Sequence, residues 1–196
     1  MQNEYKMSYL LGGLYYNETI LINREFDDYH ETKTIKDEIV KQNLLKTKKE
    51  RTAKRMASEI IPRIESLTDE QREILKTGSR EEKKQILWLA CCKTYRFINE
   101  FARDILHEYT IAARKKITTN DYEAFYNNKA DKSNKLASLK ESTRKKLRAV
   151  LFKMMREAEM INREKEIIPV ILSKKVRESI KRDDPNDLLI FPEIRQ

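Results

Sequence analysis

Two stretches of the chain collect residues that can act together as one chemical surface. In KTKKERTAKR, Lys46, Lys48, Lys49, Arg51, Lys54 and Arg55 face a single acid, Glu50. In residues 132–156, nine basic residues face Glu141 alone; the densest part is Ser142, Thr143, Arg144, Lys145, Lys146 and Arg148, continued by Lys153 and Arg156. The two windows carry +5 and +8, more than the chain's whole net charge of +9, so the remainder is net acidic. Charge gathered in this way attracts a polyanion. The chemistry on offer is charge-assisted capture of phosphate oxygens, which positions a nucleic acid without reading its sequence. Arg144 or Arg148 could additionally read guanine, whereas residues 143–156 hold no Asn or Gln to read adenine.

Other chemistry finds little support. Cys91 and Cys92 are adjacent, so neighbouring helical positions point them apart and no disulfide framework exists. The only histidines are His30 and His107, with no spaced Cys/His set for a metal, and His107 reads as a partly exposed helix residue. Asp27-Asp28 and Asp183-Asp184-Asp187 fall in turns, where Asp serves local hydrogen bonds more often than metals. There is no Gly-rich phosphate loop and no Ser/His/Asp or Cys/His constellation. A non-enzyme without metal or cofactor is therefore expected. No apolar run reaches the ~20 residues that cross a bilayer and no signal peptide is evident, so a cytoplasmic protein is expected.

The positioning elements are helical. Of 196 residues 37% are charged, and only three Gly and four Pro interrupt the chain, which favours long amphipathic helices. Gly12-Gly13 marks a break, and TKTIKDEIVKQNLLK a short helix. Thr47–Glu50, Thr68–Gln71 and Ser79–Glu82 each fit a capping box. Ala53, Met56, Ala57, Ile60, Ile61 and Ile64 form a buried stripe, with Pro62 kinking or ending that helix. Residues 83–109 are the most apolar element and read as one central helix. Asn127-Asn128 and residues 131–135 form the best linker.

The basic helix over 143–156 buries Leu147, Val150, Leu151 and Met154 and spreads Lys145, Arg148, Phe152, Lys153 and Arg156 over the other side. A short helix at 136–140 precedes it, with Ser142 or Thr143 at the cap of the basic helix. Strands at Met160–Ile161 and 167–172 follow, joined by a tip carrying Arg163 and Lys165. That order predicts a winged helix-turn-helix. The end of the chain reads as a turn and an extended segment. The expected fold is mainly α: an N-terminal helical domain over 1–131 and a C-terminal winged-helix-like module with minor β over 132–196, with a shared core left open.

STRKKLRAVLFKMMREAEMI, IIPVIL, LLIFPE, LLGGLYYNETILI and QNLLKTKKERTAKRMASEIIPRIESL together resemble the BrxA family of BREX bacteriophage-exclusion systems, from about Ser8 to Glu193. The resemblance implies a small, non-enzymatic, mainly helical protein with a NusB-like antitermination-type fold, associated with DNA and with other BREX proteins. It carries over onto Ser142–Arg148 and Lys46–Arg55. Where that family tends to place Gly after the basic helix, this chain has Glu157-Ala158-Glu159, and Glu159 is expected to extend the helix. The expected partner is double-stranded DNA. RNA is the alternative, with Tyr15, Tyr16, Tyr122, Phe125 and Tyr126 as candidate stacking platforms, and a protein adaptor is a third reading.

Overall fold

The computed structural model of the chain describes residues 4–9, 12–25 and 32–193, and the protein is mainly helical. Asp27-Asp28 and His30 lie outside the described residues. The smaller of two apolar cores joins α1 (Tyr16–Glu25), α2 (Thr32–Lys41) and α3 (Glu50–Glu65) through Ile22, Ile35, Ile39, Leu45, Ala57, Ile60, Ile61 and Ile64. The stripe expected for α3 is the face that is buried. Its start differs from expectation. Asn43 and Lys46 take left-handed conformations, with φ of 46° and 48°, so the chain enters the helix only at Glu50. The Thr47 hydroxyl then donates to the Lys49 carbonyl (3.1 Å) instead of capping a helical amide. Pro62 neither ends nor interrupts α3 at its own position, because it sits in the last turn. Only the exposed Ser58 carbonyl loses a partner there.

Both capping boxes before α4 (Asp69–Thr77) and α5 (Arg80–Thr94) form as read, and Gly78 closes α4. Residues 84–92 of α5 are buried without interruption, which makes it the central helix. It does not run on to residue 109. Tyr95 is extended (φ −121°, ψ 98°), and the chain restarts as α6 (Arg96–Phe101), a π turn (Ala102–His107) and α7 (Glu108–Ile111). The break is tertiary in origin. The Tyr95 ring packs edge-on against Tyr9 at 5.2 Å and lies 5.5 Å from the Arg63 guanidinium, a place a continuous helix would not give it. His107 is buried, not partly exposed, and its Nδ1–H donates to the Phe191 carbonyl (3.1 Å). Cys91 and Cys92 are free thiols within the core.

The larger core continues through α8 (Thr119–Ala130), α9 (Asn134–Ala137), α10 (Glu141–Glu157), α11 (Lys174–Asp183) and a 3-10 turn (Pro185–Ile190). It takes residues from both sides of position 132: Phe101 meets Tyr122 at 5.9 Å and Phe152 at 6.4 Å. Asn127 and Asn128 are inside α8, not in a linker. The short helix expected at 136–140 is at Asn134–Ala137, and Lys140, rather than Ser142 or Thr143, precedes the first turn of α10. The turn expected around Pro185 is a 3-10 turn that runs on to Ile190, into the segment expected to be extended; at a first helical position the missing N–H of Pro185 is not needed.

The end of α10 also departs from expectation. Glu159 does not extend the helix; it sits at φ 60°. Its N–H donates to the Arg156 carbonyl (3.0 Å) and that of Met160 to the Met155 carbonyl (2.9 Å), the Schellman pattern normally built on Gly. The carboxylate of Glu159 pairs with Lys84, which is buried. Glu159→Gly therefore exchanges that pair for relief of about 1 kcal/mol of left-handed strain. Glu159→Ala loses the pair and keeps the strain. Thermal melts should place the Ala variant about 1 kcal/mol, or roughly 2–4 °C, below the Gly variant. Equal melting of the two would contradict the left-handed assignment.

Candidate nucleic-acid interface

α10 is positioned by its apolar side. Leu147, Val150, Leu151, Met154 and Met155 are buried, which turns the opposite side outward. Projected at 100° per residue, Ser142, Lys145, Lys146, Ala149, Lys153 and Arg156 fall on one outward stripe without an acid among them. Lys145 reaches Glu141 at 2.6 Å and Lys153 approaches Glu157 at 3.7 Å. Both are exposed pairs one turn apart, screened by solvent and easily exchanged for another anion. Lys145 and the neighbouring Arg144 hold the Glu141 carboxyl below its usual range, the hydrogen bond from Lys145 being the main cause. Lys146 and Arg156 have no ion pair among the described residues.

Arg144 and Arg148 are not on that stripe. They sit on the flank that packs against α8, where both guanidinium groups bond the carboxylate of Glu123. Arg144 also donates to Asn127 Oδ1 (2.9 Å) and lies 4.3 Å above the Tyr126 ring. The structure thus gives the two arginines nominated to read guanine an internal role, stapling α8 to α10. Thr143 is half-buried on the other flank. Neither Glu123 nor its partners form a pattern visible locally, since 21 and 25 residues separate them.

Beyond Glu159 the chain reverses over Asn162–Lys165. Ile161 and Ile167 form one antiparallel bridge, and Lys116 forms another with Glu166. The two short strands expected here are reduced to these bridges. Pro169 has no N–H, and that of Val170 is taken by the Pro192 carbonyl at 3.0 Å. Arg163 is exposed without an ion pair among the described residues, whereas Lys165 is drawn inward, 5.3 Å over the Phe152 ring and 3.2 Å from Thr119 Oγ1. Phe152 adjoins Arg156 on the helix, so this turn borders the α10 stripe. Lys115 and Lys116, exposed beside the turn, were not selected from the sequence. The signal available was the Thr118–Asp121 capping box directly after them, which forms with Asp in place of Glu or Gln.

The second basic block occupies the α2–α3 loop and the first turns of α3. Lys46, Lys48, Lys49, Arg51 and Arg55 are exposed and without ion pairs among the described residues. Lys54 pairs with Glu50 at 2.5 Å, which holds its ammonium above the ordinary lysine range. Lys49 gives α3 no side-chain cap, leaving its first amides and the positive end of its dipole among these cations.

The remaining candidates have structural roles. Asp183 accepts from Gln71 Nε2 (3.1 Å) and pairs with Lys93, Asp184 caps the 3-10 turn, and burial pushes the Asp187 carboxyl up. Among the described residues no three His, Cys, Asp or Glu are arranged to hold a metal, and no helix is long and apolar enough to cross a membrane. Tyr122, Phe125 and Tyr126 are buried against Phe97, and Tyr15 lies against Arg63, so these rings are not open to stacking bases.

Fold and surface together define a small, mainly helical protein with clusters of exposed cations on one helix face and at the start of another helix. The BrxA family model matches residues 3–184, and the chain belongs to that family. Two relatives named "BREX protein BrxA" are similar to it. That of Bacillus cereus (strain H3081.97) is 27% identical over 147 residues, 75% of this chain and 72% of the relative. That of Escherichia coli O9:H4 (strain HS) is 25% identical over 183 residues, 92% and 86%. The crystal structure of an uncharacterized protein from Magnetospirillum magneticum superposes with a TM-score of 0.85 at 15% identity, covering 98% of this chain and 100% of that one; it shares the fold.

Proposed function

We propose that this chain is a non-enzymatic, duplex-DNA-binding component of a bacterial BREX antiphage system. Membership of the BrxA family supports the system. The outward stripe of α10, with Lys145, Lys146, Lys153 and Arg156 and no acid, is the observation that carries the DNA reading. Glu141 and Glu157 flank the stripe and pair with Lys145 and Lys153 in exposed contacts that exchange readily for another anion, while Lys146 and Arg156 have no ion pair among the described residues. Chain order supports a winged helix-turn-helix use of it. A helix ending at Ile111, the segment at Lys116, α8, the short α9, α10 and the turn at 162–165 follow one another, with residues 166–167 bridged on one side to Lys116 and on the other to Ile161. In that arrangement α10 lies in or against the major groove and the turn approaches phosphates. Sequence preference is modest, because lysines on the stripe hold phosphates and Arg156 alone offers a bidentate reader.

Fluorescence anisotropy with a labelled duplex tests the reading. If about six phosphates are neutralised, log K falls against log salt with a slope near −5. A flat response, or displacement by single-stranded RNA at lower concentration than by duplex, overturns it.

A further inference from the structure

The Gly12-Gly13 motif has so far served no part of the function, and its surroundings are specific. Neither glycine has positive φ, so backbone freedom is not the reason for them. Both are buried in close quarters. A methyl group on Gly12 would overlap the Tyr15 ring, and one on Gly13 would overlap the Glu157 carboxylate. Two bonds meet at this point. Arg63 Nη1, near the C-terminal end of α3, donates to the Gly13 carbonyl (2.9 Å), and the Leu14 N–H donates to Glu157 Oε2 (2.6 Å), at the C-terminal end of α10. The strap at Gly13-Leu14 is therefore the place where the two helices carrying the basic blocks are tied together. The α3 block lies toward the opposite, N-terminal end of its helix, whereas the α10 cations run from Arg156, beside Glu157, back to Lys145 near the N-terminal end.

We infer that Gly13 and Glu157 are positioning residues that fix the two basic helices relative to one another, so that both blocks engage a single duplex at once. This rests on the DNA reading above. At 1.5 Å per residue, Arg51 is ~18 Å along α3 from Arg63, and Lys145 is ~18 Å along α10 from Glu157. With the Arg63 and Glu157 side chains and the strap between them, Arg51 and Lys145 are at most roughly 55 Å apart, about one and a half turns of duplex at ~34 Å each. A rigid tie makes the second block's binding intramolecular, which multiplies affinity without any new interaction. An added Cβ at Gly13 displaces the Glu157 carboxylate from the Leu14 amide and loosens that tie.

The test measures affinity across salt for wild type, Gly13→Ala, Glu157→Ala and Glu157→Gln on a duplex of about 30 base pairs, with circular dichroism at the assay temperature to confirm folding. The salt slope is the informative quantity: partial unfolding lowers the active fraction and leaves the slope alone. With one block engaged at a time, Gly13→Ala and Glu157→Ala should show about half the wild-type slope and, with about three phosphates given up, bind about 500-fold more weakly near 0.1 M salt. Glu157→Gln keeps an acceptor for the Leu14 amide and should keep the slope. Glu157→Ala also removes an acid 3.7 Å from Lys153, so electrostatics without the tie gives the opposite sign, tighter binding. If Gly13→Ala does not fold, the Glu157 pair decides alone. A wild-type slope in folded Glu157→Ala, or tighter binding by it, overturns the inference while leaving DNA binding intact. A wild type that shows no salt-dependent binding overturns both.

Discussion

Lys146→Glu/Lys153→Glu/Arg156→Glu should bind duplex DNA about 500-fold more weakly than wild type near 0.1 M salt, before any added repulsion. The figure follows from counterion release. Each phosphate neutralised contributes ~0.9 to the salt slope, so at 0.1 M giving up one phosphate weakens binding about eightfold, and giving up three about 500-fold. The slope itself should shrink by about 3. Lys146 and Lys153 are exposed and Arg156 is half-buried, so the fold should lose little. The new like-charge neighbour of Glu157 adds ~0.2–0.5 kcal/mol. Anisotropy with wild-type circular dichroism checks both halves, and less than a tenfold loss would exclude the α10 stripe as the binding face. Arg144→Glu/Arg148→Glu is the wrong probe for the same question. Those guanidinium groups are only 29% and 24% exposed and share Glu123, so reversal sets three carboxylates together at the α8–α10 seam. Loss of binding in that variant reports loss of structure.

Arg63→Ala should destabilise the protein by about 3–5 kcal/mol, the usual cost of removing one partner of a buried ion pair. Arg63 is 1% exposed, and it bonds both Glu59, 4% exposed, and the Gly13 carbonyl. The guanidinium also lies 5.5 Å from the rings of Tyr15 and Tyr95. Burial pulls against its charge, and the Glu59 carboxylate beside it favours the protonated guanidinium. Truncation leaves a carboxylate in the core short of its cation, beside a cavity. Against a total stability of ~5–15 kcal/mol this is a large share, and for a chain of this length it lowers the melting temperature by roughly 10–15 °C. Arg63→Ala/Glu59→Ala should recover part of the loss, because the buried carboxylate that Arg63 held goes with it. A single variant within about 1 kcal/mol of wild type in thermal or urea unfolding would show that the pair contributes little.

What could be read from the residues alone was whatever short-range chemistry decides. The boxes at Thr68–Gln71 and Ser79–Glu82 satisfy their own helix ends, so four residues suffice to recognise them. The α3 stripe and the apolar side of α10 follow from periodicity. Thr47–Glu50 has the same lettering as a box and is not one, because the left-handed turn at Asn43 and Lys46 decides where α3 begins. The break at Tyr95 depends on Tyr9 and Arg63, far away in the chain. The basic blocks were legible as totals, but counting charge does not give direction. Glu123 separates the cations of α10 into an outward group and an internal one, and nothing within α10 announces that division. Lys115 and Lys116 were passed over because they look like part of a connector until the bridge to Glu166 places them beside the turn.

The two adjacent thiols of α5 have a practical meaning. Cys91 and Cys92 are 0% and 1% exposed, and burial pushes both away from the reactive thiolate form. An alkylating reagent or oxidant reaches neither sulfur until the central helix leaves its surroundings. The chain therefore carries its own clock: the pace at which its sulfurs are modified counts openings of the whole molecule, while fraying at the periphery goes unrecorded.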